Sequence, residues 1–396
     1  LRDETEQVIR AWHAHEIARG GQPVIDYDCA PTDSPVMPAT SRLDVHARLT
    51  QLHAQADAAS DAPVATVLRG HLAYLSSVLG ERSDLSTYLL DTQGCPAAGW
   101  DEGYVLEIGD RARAALADHG VSWGPDTDDA FTKVQEPIDI TEAREQVVSV
   151  AAELEPAIRS QADTSAPYTV TVEVADVDDY WAYWLDGAGS DVRLRFNTRQ
   201  AVFTRNGLRQ FALHEILGHA LQSASMAEVC AREDVPWVRL LSVNLPYQVM
   251  FEGLAQAMPL FLTPDDSLLV TKVRLDHYLQ LVRAELHQAI NAGHTIAECV
   301  DHARARVPFW TSGAIGDALS DRGKEPLLRS YLWAYPAGID WWVSLADTAD
   351  AQTTGSVLRA AYRRPLTPAD LADLWPSGPR IGGPGTTLRL RKPALP

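Results

Sequence analysis

His214-Glu215-Ile216-Leu217-Gly218-His219 is the stretch on which the reading of this chain turns. Two imidazoles this close in sequence can serve one zinc ion, which takes neutral histidine nitrogens and, in catalytic sites, adds a third protein ligand and leaves a position for water. A glutamate directly after the first histidine is placed to take the proton from that water. Thirty-three residues past His219, Phe251-Glu252-Gly253-Leu254-Ala255 opens an apolar helical run with a carboxylate. Glu252 is therefore the expected third ligand, with one Zn²⁺ per chain and Glu215 as general base.

The spacing tests this reading. An α-helix turns ~100° per residue, so histidines four apart lie ~40° apart around the axis, whereas histidines five apart lie ~140° apart. A regular helix cannot aim both at one ion. A one-residue widening of the turn restores convergence, and such π-bulges concentrate at functional sites. Gly218 is expected to lower the steric cost of the distortion. The competing reading is an amphipathic helix with two unrelated histidines.

The chain has 396 residues, 46% hydrophobic and 22% charged, enough for two domains or one large body with a cleft. A formal charge of -19 argues against an extended nucleic-acid or anionic-membrane surface. No run approaches the ~18 apolar residues of a membrane span. Cys29, Cys95, Cys230 and Cys299 form no CxxC pair, so free thiols in a reducing compartment are expected. The opening Leu1-Arg2-Asp3-Glu4 is too polar for a secretory signal, and the expected location is cytoplasmic.

Apolar periodicity predicts helices over 1–19, 41–80, 101–118, 141–162, 247–262, 267–292, 295–306 and 326–347. Residues 168–174 and 192–197 alternate and are rich in β-branched side chains, which predicts two strands leading into a metal helix that starts near Asn206. Between them, 176–183 reads as a short helix and 186–189 as a turn. The expected fold class is mostly α (α+β), with a small antiparallel sheet beside the metal helix. An edge strand there can bind extended peptide through its backbone. Three segments are expected: a helical extension over 1–65, a catalytic body over 66–350 and an irregular tail over 351–396.

The His-Glu-x-x-x-His and Glu-Gly-Leu-Ala motifs resemble those of the tyrosine-carboxypeptidase-like metallopeptidases, which include the tubulin tyrosine carboxypeptidases and bacterial relatives named for a Gln-Glu-Gly-Leu-Ala motif. Leu79-Gly80, Gly94-Cys95-Pro96 and the strand over 192–197 fall in that family's order, and the resemblance runs from about Val67 to about Leu345. The local His-Glu-x-x-Gly-His form is also similar to dipeptidyl peptidase III. The resemblance implies a zincin-type helical metallopeptidase, zinc on His214, His219 and Glu252, and Glu215 as base. Phe251 departs from the family's Gln. Gln256 stands where some related peptidases place an aspartate, so the partner orienting a ligand imidazole falls to Gln256, Glu228 or a backbone carbonyl.

Related peptidases often stabilise the oxyanion with a tyrosine from a late helix. Tyr335 is the first candidate and Tyr331, one turn earlier, the second. A carboxypeptidase-type exopeptidase needs a cation for the substrate's free carboxylate; Arg329, near these tyrosines, and Arg193 and Arg195, on the presumed edge strand, are the candidates. The expected partner is a peptide or small amide substrate. The alternatives are a non-catalytic zinc-binding or regulatory protein on the same fold, or an amide hydrolase of a small metabolite. Nothing in the sequence sets an oligomeric state.

Overall fold

The computed structural model describes residues 1–178 and 182–391. Helices dominate, and a small sheet lies against the helix that carries the two histidines. The strands are β1 (Tyr27–Asp28), β2 (Pro137–Ile138), β3 (Thr169–Ala175), β4 (Tyr183–Ala188), β5 (Asp191–Asn197), β6 (Phe203–Thr204) and β7 (Leu240–Leu241). Five form one sheet in the order β3-β5-β4-β1-β7, while β2 and β6 pair separately.

The sheet is mixed rather than antiparallel. β4 and β5 form an antiparallel hairpin, but β3 runs parallel to β5 and β1 parallel to β4. The segment read as helix and turn explains the difference. Residues 183–188 form β4, with Gly189 (φ +60) in the turn, while 179–181 of the expected helix lie outside the described residues. β5 is consequently interior to the sheet and not the expected edge strand. Its Val192, Leu194 and Phe196 are buried, and Arg193 points away from them.

An aromatic cluster fixes the sheet on the metal helix. Phe196, Phe203 and Phe211 meet pairwise with ring centroids 5.1–5.5 Å apart, and Tyr183 packs 4.5 Å from Phe211. Such pairs contribute about 0.5–1.5 kcal/mol each beyond burial. Thr204 caps the metal helix by accepting from the Gly207 N–H, so the helix begins at Arg205, close to the expected start.

The predicted helix over 41–80 is two helices, Arg42–Ala59 and Ala62–Val78. Ser60 takes φ 55 at the break and Asp61 caps the second helix. The predicted helix over 326–347 divides into Pro326–Tyr331 and Ala334–Thr348, which lets two tyrosines approach one point. Both chain ends are built into the body. The first 65 residues supply β1, and Trp12 packs edge-on to His71 at 5.7 Å. Residues 351–374, expected to be irregular, contain helices Ala351–Ala361 and Pro368–Leu374. Among the described residues no helix is long and apolar enough to cross a membrane.

Candidate metal centre

The metal helix runs from Arg205 to Arg232 and changes pitch in the middle. Ala212–Ala220 forms a π-helical segment between two α-helical ones, and the Leu221 N–H bonds back to the Ile216 carbonyl five residues earlier. This widening turns His214 and His219 toward each other despite their five-residue spacing. Their Nε2 atoms are 3.2 Å apart and their rings perpendicular, with centroids at 4.8 Å. Tyr362 donates its hydroxyl to the Leu217 carbonyl inside the widened turn (2.6 Å), and Gln222 donates to the Ala361 carbonyl (2.9 Å). The C-terminal helix thus braces the distortion.

Gly218 acts through close packing. A Cβ there would lie 2.9 Å from the Cβ of Ala255, on the neighbouring helix Gln248–Leu262 that carries Glu252. The bare backbone lets the two ligand-bearing helices approach. Glu252 is buried, with Oε2 3.5 Å from His214 Nε2 and Oε1 3.8 Å from His219 Nε2. Ligands bound to zinc at ~2.0–2.1 Å in a tetrahedron lie about 3.3 Å from one another, close to these separations. Glu252 Oε2 is also a buried oxygen without a hydrogen-bond partner. The donor set and the orphaned oxygen fit a divalent cation.

Burial and neighbouring charges set the protonation of these groups. Burial pushes His219 down to about 4, so it is neutral at physiological pH. Burial pushes His214 down too, but the adjacent Glu252 carboxylate and the charge of Glu215 outweigh it and leave the group raised. Burial also raises Glu252, yet the two histidines and Tyr331 hold it below the ordinary carboxylate range. Glu215, with Oε1 3.9 Å from His214 Nε2, is pushed up to about 7 by burial and by the Glu252 charge, against the opposing effect of His214.

Tyr331 and Tyr335 both reach the centre. Tyr331 donates its hydroxyl to Glu252 Oε1, and the two hydroxyls are 2.8 Å apart. Burial and the Glu252 charge raise both phenols, which keeps them protonated as donors. Of the side chains expected to orient a ligand imidazole, Gln256 donates to the Glu252 backbone carbonyl (2.9 Å) and Glu228 pairs with Arg232 (2.6 Å). The Glu252 carboxylate itself is held by Tyr331.

These groups line one cavity of about 350 Å³. Tyr27 and Trp184 on the sheet side, and Leu328 and Leu332 on the helical side, supply apolar wall. Two carboxylates the sequence did not single out, Asp26 and Asp321, also face it. None of the three expected arginines does. Arg329 is buried elsewhere, donating to Asn291 (2.8 Å) and the Ser83 carbonyl (3.0 Å) with its guanidinium over the Tyr88 ring. Arg193 and Arg195 both pair with Asp186 and line a neighbouring hollow. The physical reason is their position on β5, one strand removed from the cavity, where Arg193 lies opposite Asp186 on β4 and Arg195 diagonal to it.

The open edge beside the His214, His219 and Glu252 cluster belongs to β4. Gly187 donates to the Asp26 carbonyl, so by strand alternation the N–H and C=O groups of Tyr183 and Leu185 point to the same side. β1 pairs only with Gly187 and Ala188, and among the described residues no strand pairs with Tyr183 or Leu185 there. Ala182 to Leu185 line the cavity.

No protein-family model matches the sequence, and neither does any curated protein. Among solved structures, the fold is similar to a crystal structure described as a "putative lipoprotein" from Colwellia psychrerythraea, with a TM-score of 0.53 and 15% identity. That alignment covers 85% of this chain and 63% of the other, so this chain spans less than two thirds of it. An M32 carboxypeptidase from Deinococcus radiodurans R1 aligns over 88% of this chain and 75% of its own, at 14% identity and a TM-score of 0.35, too distant to carry an argument. The first likeness concerns the fold alone.

Proposed function

We propose that this chain is a metal-dependent hydrolase of peptide or related amide bonds, with one zinc ion held by His214, His219 and Glu252. The observation that carries the reading is the convergence of three candidate ligand atoms, all within 4.8 Å of one another, beside a second carboxylate, Glu215, in a cavity. Zinc held by these three residues would acidify a water molecule and polarise the scissile carbonyl.

The chain's own groups do the rest. Glu215, with Oε1 3.9 Å from His214 Nε2, is placed to take the proton from the attacking water. It then passes the proton to the departing amine. Tyr331 keeps the Glu252 carboxylate in place. With its own proton given to Glu252, Tyr331 accepts from Tyr335 in the resting arrangement. Rotation about the Tyr335 C–O bond turns that donor toward a substrate oxygen gaining charge, an interaction worth ~3 kcal/mol in comparable sites. The free edge of Tyr183 and Leu185 is suited to an extended peptide.

The carboxypeptidase-type direction expected from the sequence lacks its cation, because Arg193, Arg195 and Arg329 lie outside the cavity. A cavity of about 350 Å³ favours a short peptide or small amide over a folded protein. A purely regulatory metal protein has no chemical use for Glu215. The test is hydrolysis of short peptides, read by mass spectrometry, for the zinc-loaded protein, the chelated protein and Glu215→Gln. Activity lost on chelation, restored by zinc and reduced at least ~100-fold in a zinc-retaining Glu215→Gln supports the reading. No cleavage by the zinc-loaded protein refutes it.

A further inference from the structure

The cavity carries one sign of charge. Its described lining residues include Asp26, Glu215, Glu252 and Asp321 and neither Arg nor Lys. Glu252 is aimed at the metal position and Glu215 stands beside it. With Glu252 and Glu215 beside the metal position, Asp26 and Asp321 are the wall carboxylates left to face a substrate.

Asp26 is the carboxylate best placed to use that charge. It immediately precedes β1, with its N–H bonded to the Leu241 carbonyl and its carbonyl accepting from Gly187, so its backbone is pinned on both sides. Its Oδ2 accepts from the Val243 N–H at 2.8 Å, while among the described residues Oδ1 makes no hydrogen bond. The cations of the adjoining hollow are engaged with other acids: Arg10 with Asp28, and Arg193 and Arg195 with Asp186. Among the described residues Asp321, in the last turn of Ser312–Gly323, likewise forms no ion pair or hydrogen bond, and it adds negative charge on the helical side.

We infer that the cavity selects a substrate bearing an ammonium group, a free peptide amino terminus or a basic side chain, and that Asp26 is the specificity-determining residue that receives it. A substrate carboxylate meets only like charge on the protein walls. An ammonium gains a charge-assisted hydrogen bond to a cavity-lining carboxylate whose other oxygen is held by the Val243 N–H. The acidity of the whole chain, -19, biases approach in the same sense. This inference rests on the hydrolase reading only in taking this cavity as the substrate site.

The test uses four versions of one short peptide. One has a free amino terminus and an amidated carboxyl end. A second is blocked at both ends and carries a lysine. A third is blocked at both ends and neutral, and a fourth is acetylated with a free carboxylate. Binding is measured by calorimetry on zinc-loaded Glu215→Gln protein, with and without Asp26→Asn. At least one ammonium-bearing peptide is expected to bind about tenfold or more tighter than the neutral one, with the carboxylate peptide weakest. Whichever of the two cationic peptides gains more identifies the ammonium's source. Asp26→Asn is expected to remove the advantage while leaving neutral-peptide binding within about twofold. The four-peptide ranking needs no change at Asp26, so it decides the matter even where that variant is unstable. Equal binding of all four, or tightest binding of the carboxylate peptide, overturns the inference. If the unmodified protein cleaves no peptide but the charge ranking holds, the hydrolase reading fails and the charge assignment stands. Cleavage of all four with equal KM does the opposite.

Discussion

Gly338→Ala tests whether the centre depends on the close approach of two helices. Gly253 follows the ligand Glu252, and Gly338 lies one turn after Tyr335 on Ala334–Thr348. A Cβ built on Gly338 falls 2.7 Å from Gly253 Cα and 2.8 Å from its N, and closer still to the Val249 carbonyl oxygen. Carbon atoms settle at ~3.5 Å or more, so the helices must part by roughly 1 Å. Every neighbour involved is backbone, which has no rotamer to yield. Overpacking of this kind costs about 1–3 kcal/mol. A relative shift of ~1 Å between Glu252 and Tyr335 is enough to lower turnover ~100-fold. Urea unfolding followed by circular dichroism, together with peptide hydrolysis, reads both effects. Gly316→Ala is the matched control, because its Cβ meets nothing within 4 Å and it sits exposed on a helix. That change should stabilise by up to about 1 kcal/mol. A Gly338→Ala protein with the stability and turnover of the parent refutes the packing argument.

Three further predictions follow from particular contacts. Tyr331→Phe leaves the Glu252 carboxylate without its donor, and zinc affinity measured by chelator competition should fall ~10–100-fold with little change in unfolding midpoint. Tyr362→Phe strips the brace from the Leu217 carbonyl and should cost about 1 kcal/mol in denaturant unfolding, which a wild-type midpoint would contradict. Binding of the lysine peptide should also depend on pH. Burial and the neighbouring Asp186 raise the Asp26 carboxyl to about 7, against the hydrogen bond from Val243, so below that pH the empty site holds a proton that an ammonium must displace. Affinity is therefore expected to rise up to about tenfold per unit between pH 6 and 7 and to level off above. The lysine amine stays charged throughout, with a pKa of ~10.4. Glu215, Glu252, Asp321, His214, His219, Tyr331 and Tyr335 share the cavity with Asp26, while Arg10, His13, Asp28, Asp186, Arg193 and Arg195 flank it in the adjoining hollow. The neutral peptide measured over the same range separates their effects, and a flat ratio of the two affinities rejects this role for Asp26.

What the sequence revealed and what it hid divide along a physical line. The widened turn was legible because residue spacing alone forbids a regular helix from aiming His214 and His219 at one ion. The helices carrying Glu252 and Tyr335 were legible from apolar periodicity. The sheet was misjudged because β4 contains Asp186, Gly187 and Ala188, which read as a turn; without it, the strands at 169–175 and 191–197 look like consecutive antiparallel partners. The arginines failed for a related reason. A charged side chain on a strand is claimed by whichever acid the neighbouring strand presents, and Asp186 was not recognised as that neighbour. Tyr331 as the partner of Glu252 joins residues 79 positions apart, and no local pattern announces it. Asp26 lies in a Pro- and Gly-containing connector far from the motif, and it reaches the cavity only because β1 inserts between β4 and β7.

The central claim is that His214, His219 and Glu252 bind one divalent ion, and elemental analysis tests it most directly. Purified protein dialysed against zinc, beside Glu252→Ala treated identically, should contain close to one zinc per chain, and the variant much less at equal folded fraction. A protein that holds no zinc, or a variant that holds as much as the parent, contradicts the account.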